Sequence, residues 1–216
     1  MDKIRCSTID NNIFILPAGL YSRKKKIKFF PFYKKKNCAK RKIKFFLFFL
    51  LFFFPFLKAQ YLIVGDSQSF YLEKSTKKAK IYAPYTKVGI GIKELNNIIE
   101  SRPTNEYLRQ NTKIIFLSIG TNDNYYDYGI SKLLFNLREN FPYAYFFVVM
   151  GSYGWGNITA SPDTYNNYYK KFFKQGCFVF NQIIGFGDPH NMTKKQYQIL
   201  GNAIEKAIEK IETEKQ

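Results

Sequence analysis

From residue 60 onward, short apolar runs alternate with amphipathic segments, and this alternation constrains the fold more than any other feature. The runs typical of buried strands are residues 61–64, 80–88, 113–119, 144–150 and 177–180. The segments with helical spacing are residues 92–101, 127–140, 161–174 and 193–214. Short strands that alternate with helices favour a parallel sheet with both faces covered. We therefore predict that residues 60–216 form one α/β domain, a three-layer α/β/α sandwich around a mostly parallel five-stranded sheet.

Residues 1–59 differ in composition from the rest of the chain. Most of the net charge of +18 lies in this region, in basic clusters such as residues 23–26 and 34–36. Residues 60–216 are therefore only mildly basic, and a nucleic-acid partner is not indicated. No helical or strand period is sustained over residues 1–39, which we predict to be a disordered basic leader.

Residues 40–59 combine a basic flank with an uninterrupted apolar run, residues 45–57. This run is shorter than the roughly 20 residues that span a bilayer, and its length suits the core of a signal peptide. We predict a signal peptide, cleaved after Ala59, or an N-terminal membrane anchor; a buried core helix is the third alternative. The protein is then secreted or membrane-anchored on the extracytoplasmic side, with residues 45–57 as its membrane-associating segment.

The first apolar run ends abruptly at Gly65-Asp66-Ser67. The carboxyl ends of parallel strands share one edge of a sheet, where loops and helix N-termini present N–H groups to ligands. Ser67 is thus a candidate nucleophile, although Gly-Asp-Ser also occurs as a plain turn.

Two further loops are predicted to lie at the same edge. Asn122, in Gly120-Thr121-Asn122-Asp123, follows the strand at residues 113–119, and its amide can donate to an oxyanion. Gly89 follows the second strand, and its N–H can contribute to the same hole; Gly91 is a second candidate. The alternatives are a polar turn or helix cap at Asn122 and a tight turn at Gly89.

His190 is the only histidine in the chain, and it lies between the last strand and the last helix. A single histidine is often structural or exposed. Activation of a serine hydroxyl at neutral pH nevertheless calls for a base, and imidazole has a suitable pKa. If histidine activates Ser67, that histidine must be His190.

Four short sequence blocks contain Ser67, Gly89, Asn122 and His190, in this order along the chain. These blocks resemble the ordered blocks of the SGNH (GDSL-type) hydrolase superfamily. The resemblance implies a flavodoxin-like fold and ester hydrolysis through an acyl-enzyme. Ser67 would be the nucleophile and His190 the base, and the oxyanion hole would comprise the N–H groups of Ser67 and Gly89 with the Asn122 amide. No metal and no other cofactor is implied.

The chain departs from the family pattern at two positions. The family usually has Asp three residues before the histidine, where this chain has Gly187; Asp188 is two residues before it. We predict that Asp188 orients His190, with a backbone carbonyl as the alternative. The residue after Ser67 is Gln68 rather than leucine.

Aromatic side chains follow several of the predicted site loops, and their faces suit sugar rings or acyl chains. We predict a small-molecule or carbohydrate ester as substrate. The alternatives are a sugar O-acyltransferase, a catalytically silent SGNH-like domain for carbohydrate binding or interaction, and a basic membrane-surface protein. The aromatic residues predicted to border the site are Tyr125, Tyr126, Tyr128, Tyr153, Trp155 and Tyr165.

Overall fold

A computed structural model of the chain describes residues 6–9, 12–15, 60–152, 160–180, 187–188 and 191–213. The chain divides into two compact units, residues 1–18 with 59–216 and residues 19–58, and every described residue belongs to the first. The predicted signal segment, residues 40–59, lies outside the described residues. Within the described ranges, no helix has both the length and the apolar character needed to cross a membrane.

Near the N-terminus, β1 (Cys6–Ile9) and β2 (Asn12–Ile15) pair as antiparallel strands. The sequence pattern predicts no regular structure here, because residues 1–39 hold no sustained alternation of apolar and polar residues.

The main sheet contains five strands in the order β4-β3-β5-β6-β7, and every neighbouring pair is parallel. This is the order of flavodoxin-like folds, and the predicted five-stranded parallel sheet is confirmed. The strands are β3 (Gln60–Gly65), β4 (Lys80–Thr86), β5 (Thr112–Ser118), β6 (Tyr145–Val149) and β7 (Phe178–Phe180). The helices are α1 (Gln68–Ser75), α2 (Ile92–Ser101), α3 (Glu106–Asn111), α4 (Ile130–Asn140), α5 (Pro162–Lys174) and α6 (Lys194–Thr213).

Each face of the sheet has its own core. On β3, Leu62 and Val64 pack into a cluster with side chains of α2, α4 and α5. Tyr61 and Ile63 point the other way, into a cluster with side chains of α1 and α6. Successive strand residues face opposite sides, so a strand covered on both faces must be apolar throughout. The three predicted layers are therefore confirmed.

Side-chain caps define several helix starts. Ser161 caps α5 and Thr193 caps α6, each by accepting a backbone N–H three residues ahead, as the sequence predicts. Helix α4 begins at Ile130 rather than at the predicted Asp127, because the Asp127 carboxylate accepts the Ile130 N–H. Helix α3 was not predicted; its cap is Asn105.

Pro84 lies within β4, an edge strand of the sheet. Ile63 pairs with Ile81 and Gly65 with Thr86, so β4 bulges between these two pairs. Proline has no N–H for the strand ladder, and an edge position with a bulge accommodates it. Beyond the bulge, β4 again pairs with β3 beside the candidate site.

Candidate active site

Ser67 lies at the carboxyl edge of the sheet, between the end of β3 and the first residue of α1. Its side chain is half-buried and does not cap the helix. In the part of the chain that the structure describes, its hydroxyl has no hydrogen-bond partner. The N–H groups of Gln68, Ser69 and Phe70 already donate, to Asp66 Oδ1 and to the carbonyls of Asp66 and Ser67. The position therefore offers the Ser67 hydroxyl at this edge of the sheet.

The loops after β4 and β5 meet the loop that carries Ser67. On one side of β3, the Gly65 carbonyl accepts the Lys87 N–H at 3.0 Å. On the other side, the Asp66 N–H donates to the Ser118 carbonyl at 2.8 Å. The end of β3 is thus fixed to both neighbouring strands.

Hydrogen bonds also join the two outer loops to each other. Asn122 Nδ2 donates to the Ile90 carbonyl at 2.9 Å, and the Ile92 N–H donates to Asp123 Oδ2 at 2.6 Å. Since β4 and β5 flank β3, these bonds connect the loops on either side of Ser67. An amide nitrogen carries two protons, so Asn122 keeps one N–H for a further acceptor.

The two candidate glycines differ in their surroundings. Gly89 lies in an exposed turn with a φ of +75°. Apart from its two chain neighbours, no described residue has an atom within 4 Å of the position its Cβ would take. Gly91 is extended and lies against Asp123, with 2.2 Å between its built Cβ position and Asp123 Oδ1. Gly91 is therefore packed beside the Asn122 loop. The role of Gly89 in an oxyanion hole stays a prediction, with Gly91 as the alternative.

Asp66 is a buried carboxylic acid directly before the candidate nucleophile. Its Oδ1 accepts the Gln68 N–H at 3.0 Å and the Ser118 hydroxyl at 3.4 Å. Burial raises the pKa of Asp66 to about 7, although these two hydrogen bonds favour the ionised form. The negative charge of Asp123 raises the pKa further.

This raised pKa predicts a pH-dependent stability that Asp66→Asn removes. The folded-state pKa of about 7 lies above the ordinary value of 3.8 for an aspartate, so the folded state holds the proton more tightly. The contribution of Asp66 to stability is then fully present below about pH 4 and is lost as the pH rises through 7. From pH 5 to pH 8, we expect the free energy of unfolding of the wild type to fall by roughly 2–3 kcal/mol more than that of Asp66→Asn.

Urea unfolding at pH 5 and pH 8 measures this difference. Asparagine still offers an oxygen to Gln68 and Ser118, so the variant keeps both acceptor contacts. Asp163→Asn, at an exposed aspartate in the first turn of α5, is the matched control and should keep the wild-type pH dependence. Equal pH dependence in Asp66→Asn and the wild type would contradict the prediction.

The two remaining predicted residues follow β7. His190 lies outside the described residues. Asp188 is described, and its Oδ2 accepts a hydrogen bond from Asn191 Nδ2 at 3.0 Å. Burial raises the pKa of Tyr197, and the charges of Asp66 and Asp188 are among the groups that raise it further. The negative charges of Asp188 and Asp66 thus both oppose ionisation of Tyr197.

Three solved structures illustrate what this chain is similar to. The C-terminal catalytic domain of Streptococcus pneumoniae peptidoglycan O-acetyltransferase A is 13% identical, with a TM-score of 0.47 over 72% of this chain and 95% of that chain. A family two carbohydrate esterase from Cellvibrio japonicus is 15% identical, with a TM-score of 0.45 over 71% of this chain and 61% of that chain. A protein from Desulfitobacterium hafniense, described as lipolytic and of the G-D-S-L family, is 9% identical. Its TM-score is 0.42 over 67% of this chain and 97% of that chain.

The third of these structures is described as belonging to the G-D-S-L family. The chain spans about three fifths of the length of the Cellvibrio japonicus esterase. No family model matches the chain, and no curated protein matches its sequence.

The structure corrects part of the predicted aromatic border of the site. Tyr125 and Tyr165 are buried, because their rings pack against each other and their hydroxyls donate to the carbonyls of Ser152 and Gly151. Tyr126 and Tyr128 are exposed, as a binding surface requires. The other two, Tyr153 and Trp155, lie outside the described residues.

Proposed function

We propose that this chain is a serine ester hydrolase of the SGNH kind, in which Ser67 forms an acyl-enzyme. The observation that carries the proposal is the meeting of three loops at the carboxyl end of β3. Ser67 directly precedes a helix there, and the Asn122 amide, bound to Ile90 across the end of the sheet, keeps one N–H for another acceptor. Ester hydrolysis by serine needs this combination of a nucleophile and preorganised oxyanion donors.

In the proposed reaction, His190 takes the Ser67 proton as Oγ attacks the ester carbonyl carbon. The oxyanion accepts hydrogen bonds from the Ser67 N–H, the Asn122 amide and the N–H of Gly89 or Gly91. The carbon–oxygen bond to the leaving alcohol then breaks, and His190 protonates that alcohol. Water attacks the acyl group and gives its proton to His190, which returns a proton to Ser67; in a sugar O-acyltransferase, an alcohol replaces this water. Asp188 would hold the imidazole in orientation.

Ser67-dependent hydrolysis of p-nitrophenyl acetate by the full chain tests this proposal. Turnover by the wild type that disappears in Ser67→Ala supports it. A wild-type chain without turnover and without labelling by a fluorophosphonate contradicts it, and that result supports the silent binding domain instead.

We propose further that the substrate is a carbohydrate ester. Tyr126 and Tyr128 follow Asn122 in the same loop and are 53% and 56% exposed, with ring centroids 6.3 Å apart. The loop is fixed by Asp127, whose carboxylate accepts the Gly129 N–H and pairs with Lys171. A rigid loop that presents two aromatic rings beside an oxyanion donor suits a sugar ring.

Replacing both Tyr126 and Tyr128 with alanine is expected to raise KM for an O-acetylated oligosaccharide roughly tenfold, the loss of about 1.4 kcal/mol of ring contact. The kinetics on p-nitrophenyl acetate should change less, because this ester has no sugar ring for the two tyrosines to contact. Tyr143→Ala, at a 71% exposed tyrosine before the start of β6 and so at the opposite sheet edge, is the control. An unchanged KM for the oligosaccharide contradicts the proposal.

For localisation, we propose that residues 40–59 direct export, as a cleaved signal peptide or as an anchor. The N-terminal sequence of the protein recovered from its native cell tests this. Gln60 as the first residue of an exported form supports cleavage, and a membrane-bound form that keeps residues 40–59 supports an anchor. A full-length protein confined to the cytosol contradicts both.

A further inference from the structure

Gln68 follows the proposed nucleophile, and its amide side chain is buried. Nε2 donates a hydrogen bond to Thr121 Oγ1 at 3.0 Å. Oε1 lies close to Gly151, so that a Cβ built on Gly151 would be 2.7 Å from it. A buried amide is costly unless it is hydrogen-bonded, and the contact with Thr121 supplies that bond. Gln68 therefore touches residues after β5 and β6 as well as following Ser67.

The hydrogen bond from Gln68 continues through two hydroxyl groups. Thr121 Oγ1 lies 3.3 Å from the Tyr125 hydroxyl, which donates to the Ser152 carbonyl at 2.8 Å. A carbonyl can only accept, so the single hydroxyl proton of Tyr125 is committed to Ser152. Thr121 must then donate to Tyr125, and it accepts from Gln68. Each group in the chain of Gln68, Thr121, Tyr125 and Ser152 thus donates to the next, an arrangement in which neighbouring bonds strengthen one another.

The backbone of the Thr121 loop shows that this segment is held under constraint. Asn124 and Tyr125 both have positive φ angles, 48° and 60°. Such a conformation is costly for a bulky residue such as tyrosine and persists only where surrounding contacts enforce it. The buried ring of Tyr125 and its two hydroxyl contacts are such contacts.

We infer that Gln68 is a positioning residue, which holds Ser67 in place relative to Asn122 through its hydrogen bond to Thr121. Gln68 is the neighbour of Ser67, and Thr121 is the neighbour of Asn122, so one bond fixes the spacing of nucleophile and oxyanion donor. Tyr125 and Ser152 anchor the Thr121 end to the loop after β6. The inference rests on the proposed function for its catalytic consequence, while the hydrogen-bond chain itself is independent of it.

Steady-state kinetics of the full chain on p-nitrophenyl acetate test the catalytic consequence. Gln68→Leu removes the donor at similar volume and is expected to lower kcat roughly tenfold with little change in KM, because small misplacements of reacting groups slow the chemical step. Gln68→Glu keeps the shape, and at a pH where its carboxylate is ionised it cannot donate, so there it should lower kcat at least as much. Gln68→Leu with a wild-type kcat would overturn the inference.

A matched pair at Thr121 separates the hydrogen bond from packing. Thr121→Ser keeps the hydroxyl and should keep kcat, whereas Thr121→Val removes the hydroxyl at similar volume and should behave as Gln68→Leu does. Gln198→Leu, at an exposed glutamine on α6, is the control for the glutamine change. If Thr121→Val keeps the wild-type kcat, the inference is wrong.

Urea unfolding tests the hydrogen-bond chain without reference to catalysis. Gln68 and Tyr125 share Thr121 as a hydrogen-bond partner, so Gln68→Leu and Tyr125→Phe should shift the urea midpoint non-additively in the double variant. If the urea midpoint of the double variant shifts by the sum of the two single shifts, the hydrogen-bond chain is refuted. If the wild type hydrolyses no ester, the proposed function fails, and the urea experiment still decides whether Gln68 and Tyr125 are coupled.

Discussion

Replacing Ser67 with alanine is expected to lower the turnover of p-nitrophenyl acetate at least roughly a thousandfold, because the acyl-enzyme cannot form without the hydroxyl. The oxyanion donors remain in the variant, so a small residual rate above that of water is expected. The fold should be unaffected, since the Ser67 hydroxyl does not cap α1. The loss therefore appears in kcat, while the urea midpoint stays at the wild-type value.

Ser69 offers a matched control within the same helix. It is fully buried, and its hydroxyl has no hydrogen-bond partner among the residues that the structure describes. Ser69→Ala should keep wild-type turnover and fluorophosphonate labelling, both of which Ser67→Ala should lose. Turnover by Ser67→Ala within about tenfold of the wild type would contradict a serine mechanism, because loss of a nucleophile costs far more.

The parts of the site that follow from local patterns were predictable from sequence. Continuous apolar runs predict strands buried on both faces, and the carboxyl ends of parallel strands share an edge. That rule is sufficient to bring Ser67 and Asn122 to one edge, and the register confirms that their strands are neighbours. Local chemistry also predicts the caps Ser161 and Thr193, because each cap acts within three residues.

The contacts that tune the site were not predictable, because they join residues distant in sequence. Gln68 and Thr121 are 53 residues apart, and their contact depends on the pairing of β3 with β5, which no local pattern specifies. The sequence marks Gln68 only as a departure from leucine. The raised pKa of Asp66 arises from burial, and burial of a turn residue has no periodic signal. Tyr125 and Tyr126 are adjacent, so composition alone cannot tell the buried ring from the exposed one.

The backbone of Gly65 lies so close to the paired strand that a side chain does not fit there, and this too is a property of strand pairing. We therefore expect a large loss of stability in Gly65→Ala. A Cβ at Gly65 would lie 1.8 Å from the Ser118 carbonyl oxygen and 2.7 Å from the carbonyl carbon. The φ of Gly65 is +129°, which side-chain-bearing residues rarely adopt. Both obstacles are backbone features of paired central strands, so no side chain can move aside. We expect the free energy of unfolding to fall by at least about 4 kcal/mol.

A loss of this size is a large part of the 5–15 kcal/mol by which domains are typically stable, so the variant should unfold at a much lower urea concentration than the wild type. Gly89→Ala separates the two causes, because Gly89 also has a positive φ but has open space where a Cβ would lie. It should lose only about 1 kcal/mol, the cost of the backbone conformation alone. Urea unfolding followed by circular dichroism measures both variants. If Gly65→Ala and Gly89→Ala lose the same free energy of unfolding, the end of β3 can move away from Ser118. The fixed position proposed for Ser67 would then be wrong.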